Sequence, residues 1–289
     1  MISIFTIPKA FVGHSAIIQR NAIRSWLQLE PNCEIMLLGD DPGVEDAARD
    51  LGIMHIPSID RNQFGTPLLS SAFSTAQQIA NNDIIMYVNS DIIFFQQFID
   101  VMKTINFPRF LLCGKRWDLD VQNEIDFSHS AWVDEFLLRL RSQGKPHGHS
   151  GLDYFIFRRT SVNMRSFAVG RPGWDNWLIY DMRRKKIPVV DASKVIIAIH
   201  QNHDYSHSEF GEKKRVGGPE WAENIKMAGG LTNMLTLRDA DWLMTKEGPE
   251  RPSFARRIHP LLSLWYPWRL LLVVKRKLQW YIHEFLRVE

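Results

Sequence analysis

The spacing of apolar residues switches between two periods along the first third of the chain. Residues 2–7, Ile-Ser-Ile-Phe-Thr-Ile, read as a strand closed by Pro8-Lys9. From residue 13 to residue 29 the period lengthens, and Ile17, Ile18, Ala22, Trp26 and Leu29 share one side of a helix. Residues 33–39 read as a second strand ending at Asp40-Asp41. Residues 42–51 read as a helix with Pro42 near its start and Gly52 after its end, and residues 53–56 as a third strand. A β-α-β-α-β opening with short links predicts a parallel sheet.

Further on, Thr66-Pro67 reads as the N-cap and first helical residue of a helix running to about residue 80. The run Ile84-Ile85-Met86-Tyr87-Val88 is almost continuously apolar, the mark of a central strand covered on both faces. Asn89-Ser90-Asp91 breaks it, and Ile92-Ile93-Phe94-Phe95 resumes it. Helices are expected over residues 96–105 and 132–140, and strands over 110–114 and 154–157. The segment Gly170-Arg171-Pro172-Gly173-Trp174-Asp175-Asn176-Trp177 leads into a helix through Arg184. Strands over 187–191 and 195–199 follow, the latter ending at His200, with His203 and His207 beyond it.

Composition narrows the class. With 289 residues, 45% of them apolar and 23% charged, the chain suits one large α/β domain or two small ones. Cys33 and Cys113 lie in apolar runs and read as small core residues in a reducing compartment. The first residues lack the profile of a secretory leader, and no window of about 18 apolar residues occurs. The expectation is a cytoplasmic protein. The net charge of +3 is uneven, for residues 251–289 hold eight Lys/Arg against two Glu, so the remainder is net negative. Nucleic acid is therefore not an expected partner of the main domain. We expect a domain over residues 1–248 and a basic, aromatic helical tail over 249–289. Neither a Gly-x-Gly-x-x-Gly after the first strand nor a Walker loop is present, which disfavours a dinucleotide or P-loop site.

Three polar clusters at expected strand ends carry the candidate chemistry. In open α/β sheets ligands bind beyond the carboxyl ends of the strands. There Asp91 can ligate a hard cation, and the cation can hold a diphosphate. As structure alone, Asn89-Ser90-Asp91 is a common strand-ending turn. Asp175 between two Trp residues reads either as the cap of a helix beginning near Asn176 or as a general base in a water-poor setting. Asp153 shares that ambiguity, a turn residue or a base. The His200–His207 group has spacings of three and four, which would suit a zinc site on a helix. Yet Asn202, Asp204, Tyr205 and Ser206 make the segment read better as a loop. One His of this loop joining Asp91 on a metal is the sharper alternative.

Taken in order, the β-α-β-α-β opening, the Asn89-Ser90-Asp91 strand end and the Trp174-Asp175-Asn176-Trp177-Leu178–helix–strand–His series resemble a GT-A-type nucleotide-sugar glycosyltransferase, family 2-like. The resemblance covers roughly residues 1–210. It implies a GT-A-like, mostly parallel sheet flanked by helices. It further implies transfer of a sugar from a nucleotide-diphosphate sugar to a hydroxyl acceptor, in glycan or polysaccharide biosynthesis. The family's Asp-x-Asp motif appears here as a variant with Asn89 in first place, leaving Asp91 as the ligand for Mn²⁺ or Mg²⁺. The later acidic motif implies Asp175 as the base, with Asp153 next. A His after the following strand implies His200 or His203 on the metal. The end of the first strand, Thr6, Pro8 and Lys9, and the loop at Asp40 would meet the nucleoside, with Ser90 beside the diphosphate. Backbone N–H groups at Gly65-Thr66-Pro67 would face donor oxygens. Lys115, Arg116 and Trp117 would line the sugar or acceptor pocket, or form a solvated loop.

Other classes remain in play: a sugar nucleotidyltransferase, which lacks its usual Gly-rich basic loop here; a non-catalytic nucleotide-sugar or glycan-binding protein, which Asn89 would allow; and a zinc hydrolase. In the tail, Leu261 to Val274 form a dense apolar patch bracketed by Arg256, Arg257, Arg269, Lys275, Arg276 and Lys277. The expectation is peripheral contact with the inner face of a membrane, where a lipid-linked acceptor would be met, or packing on the main domain.

Overall fold

The computed structural model describes residues 1–203, 218–254, 271 and 274. The opening is the predicted one: β1 (Ile2–Thr6), α1 (Gly13–Leu27), β2 (Glu34–Leu38), α2 (Val44–Leu51) and β3 (Met54–Ile56), with the three strands parallel. Next come α3 (Leu69–Ile79), β4 (Ile84–Val88), β5 (Ile92–Ile93), α4 (Gln97–Met102), β6 (Leu111–Cys113), β7 (Trp117–Leu119), α5 (Trp132–Gln143) and β8 (Lys145–Pro146). The second half supplies β9 (Tyr154–Arg158), α6 (Trp174–Arg184), β10 (Val189–Asp191), β11 (Ile199–Gln201), α7 (Pro219–Ala228), β12 (Trp242–Met244) and β13 (Pro249–Glu250).

Nine strands form one sheet in the order β13-β12-β10-β6-β9-β4-β1-β2-β3. It is the mostly parallel, helix-flanked sheet that the pattern implies. In it β9 runs antiparallel to its neighbours β4 and β6, and the edge strand β13 antiparallel to β12. The apolar run of β4 follows from its two covered faces. Ile85 and Tyr87 point into a layer with Phe5, Phe73, Phe155, Phe157 and Trp174, while Met86 and Val88 point into another with Ile4, Trp26, Phe94, Tyr154 and Ile156. Phe73 stacks on both Tyr87 and Phe157. Each such fully buried side chain contributes about 1.5–3 kcal/mol of burial free energy.

A second sheet, β5-β11-β7-β8, stands beyond the end of β4. It corrects two expectations. Trp117 begins a strand, so it is not in a solvated loop. The apolar run 195–199 is mostly not strand, because Val195 and Ile196 turn back with their N–H groups on the carbonyl of Ala192. Pairing starts only at Ile199, and His200 sits within β11.

Thr66 is not a helix cap. The helix begins at Leu69, and Thr66-Pro67 lies in an extended link where Pro67 bridges to Arg61. Pairing of β13 with β12 carries the main sheet through Glu250, and Arg251 lies over the Trp242 ring. Among the described residues no helix is long and apolar enough to cross a membrane. The expected helical tail falls almost entirely outside the described residues, as does His207.

Candidate active site

A cavity of about 720 Å³ opens at the carboxyl ends of β1 and β4. The loop after β4 forms its floor, and buried polar groups of α1 fix that loop. Ser90 Oγ donates to Gln19 Oε1 at 2.7 Å, and the same oxygen accepts the Lys9 N–H at 2.8 Å. Gln19 Nε2 donates to the Lys9 carbonyl at 3.0 Å. Trp26 Nε1 donates to the Ile92 carbonyl at 2.8 Å. One α1 face thus ties the end of β1 to the loop carrying Asp91.

Asp91, His200 and His203 converge there, with one ligand atom from each within 4.8 Å of the others. His203 Nε2 is 3.2 Å and His200 Nε2 3.6 Å from Asp91 Oδ2. Asp91 Oδ1 is buried and has no hydrogen-bond partner among the described residues. Burial works against the Asp91 carboxylate, but the His200 charge, a hydrogen bond from His203 and Lys9 hold its pKa well below the usual range. Burial likewise opposes charge on His200, and Asp91 and Asp118 outweigh it, raising its pKa. A buried, ionised carboxylate with one oxygen beside two imidazoles and the other without a hydrogen bond among the described residues fits a divalent cation. Two imidazoles and one carboxylate suit Mn²⁺ better than Mg²⁺, which prefers oxygen. His200 lies on a strand, so helical spacing does not create this cluster.

The next layer is also knitted. Because β9 runs antiparallel to β4, Asp153 lies opposite Asn89, whose N–H donates to the Asp153 carbonyl at 2.9 Å. Asn89 Nδ2 donates to Asp153 Oδ1 at 2.6 Å, and an Arg116 terminal nitrogen donates to Asp153 Oδ2 at 2.7 Å. Arg116 Nε also reaches Asp118 Oδ1 at 2.8 Å. Both Asp153 oxygens are therefore occupied.

Of the residues singled out in the sequence, Pro8, Lys9, Asn89, Ser90, Asp91, Asp153, Arg116, His200 and His203 line this cavity together. Others do not. Thr6 is fully buried in β1, paired with Leu37. Asp40 is exposed and bonded to Arg61 at 2.5 Å, and its neighbour Asp41 lines the cavity instead. Gly65 and Thr66 cannot offer their N–H groups to a donor, because the Asn62 carbonyl and side chain already accept them at 3.0 Å. Lys115 lies outside the lining, its N–H bonded to Ser193 Oγ at 2.8 Å.

Asp175 is in the first turn of α6, which starts two residues earlier than a cap at Asp175 requires. It is half-buried and not part of the cavity lining. Burial, with the nearby Asp153 charge, pushes its pKa up to about 6 against opposing backbone hydrogen bonds.

Sequence reasoning passed over Gln19, Asp118, His147 and Arg171. Gln19 carried a signal, a polar residue on the buried side of a helix. The others are brought in by long-range pairing. Arg171 lines the cavity and is held by Glu220 at 2.9 and 2.5 Å.

No protein-family model and no curated protein sequence matches the chain. Solved structures do. A nucleotide-diphospho-sugar transferase from Desulfovibrio desulfuricans G20 is 12% identical with a TM-score of 0.43, over 79% of this chain and 96% of that one. A mannosyltransferase from Pyrobaculum calidifontis, solved with GDP-Man and Mn²⁺, is 12% identical with a TM-score of 0.43, over 69% of this chain and 56% of that one. Glucosyl-3-phosphoglycerate synthase from Mycobacterium tuberculosis, solved with Mn²⁺, UDP and glucosyl-3-phosphoglycerate, is 16% identical with a TM-score of 0.42, over 71% and 74%.

Proposed function

We propose that the chain is a metal-dependent glycosyltransferase that moves a sugar from a nucleoside-diphosphate sugar to a hydroxyl of a glycan or lipid-linked acceptor. One observation carries this reading. The buried Asp91 carboxylate, with Oδ2 beside two imidazoles and Oδ1 without a hydrogen bond among the described residues, stands on the floor of a cavity that also presents Lys9, Arg116 and Arg171. Asp91, His200 and His203 would hold the cation, which when bound supplies positive charge to offset the leaving nucleoside diphosphate.

The remaining steps belong to the chain's own side chains. Lys9 and Arg171 bring positive charge to the cavity for an anionic donor. Pro8, at the end of β1, and Asp41, beyond β2, form the wall where a nucleoside would rest. The acceptor hydroxyl must lose a proton as the glycosidic bond forms, and Asp175 is the proposed base. Its pKa near 6 leaves it ionised at neutral pH yet able to hold a proton. Asp153 is the weaker candidate because Asn89 and Arg116 already occupy its oxygens. An acceptor served by Asp175 must seat against the first turn of α6. The tail would bring this domain to the inner face of a membrane when the acceptor is lipid-linked.

The test is a panel of nucleotide sugars, incubated with Mn²⁺ and the purified chain and read as released nucleoside diphosphate. Turnover of at least one donor, lost in Asp91→Ala, is expected. No turnover and no binding of any donor would overturn the reading. Consumption of a nucleoside triphosphate with a sugar phosphate would reassign the chain as a nucleotidyltransferase.

A further inference from the structure

Beside the proposed cation ligands stands a carboxylate that the mechanism above does not use. Asp118 is on β7, and His200 is its register partner on β11. The small second sheet therefore fixes the two side chains against each other through backbone pairing. His200 is bracketed: its Nε2 faces Asp91 Oδ2 at 3.6 Å, and its Nδ1 faces Asp118 Oδ1 at 3.4 Å. Nδ1 is buried and, among the described residues, makes no hydrogen bond, the 3.4 Å approach of Asp118 Oδ1 being its ion-pair contact. Asp118 has two further donors, His147 Nδ1 on Oδ2 at 2.8 Å and Arg116 Nε on Oδ1 at 2.8 Å.

From this geometry, and resting on the cation reading of the site, we propose that Asp118 is the positioning residue for His200. It accepts the Nδ1 proton and so turns the Nε2 lone pair toward the cation seat. An ionised carboxylate can only accept hydrogen bonds, so the imidazole nitrogen facing it must carry the hydrogen. A neutral imidazole with hydrogen on Nδ1 has its lone pair on Nε2, the nitrogen on the Asp91 side. A carboxylate behind a metal-bound imidazole fixes ring orientation and raises its basicity, and its loss typically weakens metal binding about 10–100-fold. A role limited to pairing with Arg116 fits less well. Arg116 already has Asp153 at 2.7 Å, and such a role would not explain why β7 and β11 set Asp118 opposite His200.

The experiment is calorimetric titration of the full chain with Mn²⁺, comparing wild type, Asp91→Ala, Asp118→Ala and Asp118→Asn, each checked for folding by its melting transition. Wild type should bind, and Asp91→Ala should not. Asp118→Ala should bind about 10–100-fold more weakly. Asp118→Asn keeps an acceptor oxygen and should fall in between, and it decides the matter if Asp118→Ala does not fold. In parallel, ¹⁵N spectra of imidazole-labelled, metal-free protein, taken at a pH high enough that the His200 ring is neutral, should show His200, assigned with His200→Gln, protonated on Nδ1 in wild type and not in Asp118→Ala. Failure of wild type to bind Mn²⁺ would overturn the cation reading and this proposal with it. Binding by wild type and by folded Asp118 variants within twofold, with Asp91→Ala inactive in binding, would leave the cation reading standing and overturn the role of Asp118.

Discussion

Asn89 Nδ2 donates to Asp153 Oδ1 across 2.6 Å, joining the end of one strand to the start of its antiparallel neighbour. The amide is the right group there because it supplies a hydrogen and no charge. Replacing it with a carboxylate would set two negative oxygens against each other beside Tyr87. Asn89→Asp should therefore destabilise the protein by about 2–4 kcal/mol at pH 8. The shared site raises the pKa of one carboxyl of the pair, so the penalty is complete above that raised value and fades as acid protonates it. Urea unfolding at pH 8 and pH 5 checks this. Equal stability of variant and wild type at pH 8 would mean that the amide is not needed as a donor.

Metal dependence gives a second expectation. Saturating Mn²⁺ should raise the melting temperature of the wild type, since a ligand at 100 times its Kd adds about 2.7 kcal/mol. Mg²⁺ should do less at equal concentration, because two of the three ligand groups are imidazoles. Exhaustive chelation should abolish transfer, and re-added Mn²⁺ should restore it. Transfer that survives chelation would remove the metal from the mechanism.

Much of this site is legible in the sequence, for a local reason. Asp91 follows an uninterrupted apolar run, which reads as a strand covered on both faces, and the end of such a strand in an open α/β sheet is a place where ligands bind. His200 and His203 likewise follow an apolar run. What is not legible depends on pairing between distant segments. Nothing local says that β9 runs antiparallel, yet that direction is what sets Asp153 opposite Asn89. Nothing local says that Trp117-Asp118-Leu119 pairs with Ile199-His200-Gln201, some 80 residues later, yet this brings Asp118 to His200. At Thr66-Pro67 the local signal was real but was outcompeted. The bridge from Pro67 to Arg61 and the Asn62 side chain on the Thr66 N–H hold the segment extended, so the helix starts later.

The Asp91 loop also depends on Trp26, whose fully buried indole bonds the Ile92 carbonyl at 2.8 Å. Trp26→Phe keeps most of the apolar volume and deletes that donor. It should cost about 1–3 kcal/mol in stability, the penalty for a buried acceptor short of a partner. Because Ile92 adjoins Asp91, Mn²⁺ affinity should fall as well. Calorimetry on the variant reads both. Loss of stability with unchanged affinity would separate the loop from the indole.

The tail can be tested by charge. Lys275, Arg276 and Lys277 follow the apolar patch in sequence, and each basic residue near an anionic surface contributes about 1 kcal/mol. The full chain should float with vesicles containing anionic lipid at low salt. Changing all three to Glu should leave it at the bottom while donor turnover in solution persists. Flotation that ignores both salt and these changes would argue against electrostatic attachment.

Asp175 offers the sharpest separation of stability from function. Its folded-state pKa of about 6 lies above the ordinary aspartate value, so its charged form is disfavoured by folding. The penalty is fully present above pH 6 and is relieved as the pH falls toward 4. Asp175→Asn removes the charge, keeps the oxygen that accepts the Gly173 N–H, and should be more stable than wild type by about 1–3 kcal/mol at pH 8. That gain should shrink through pH 6 and vanish near pH 4. If Asp175 is the base, the same variant should lose orders of magnitude in turnover with donor affinity little changed. A variant stabilised at pH 8 and still fully active would show that the carboxylate is a cost with no catalytic return. The base would then have to be sought at Asp153, by Asp153→Asn in the same assay.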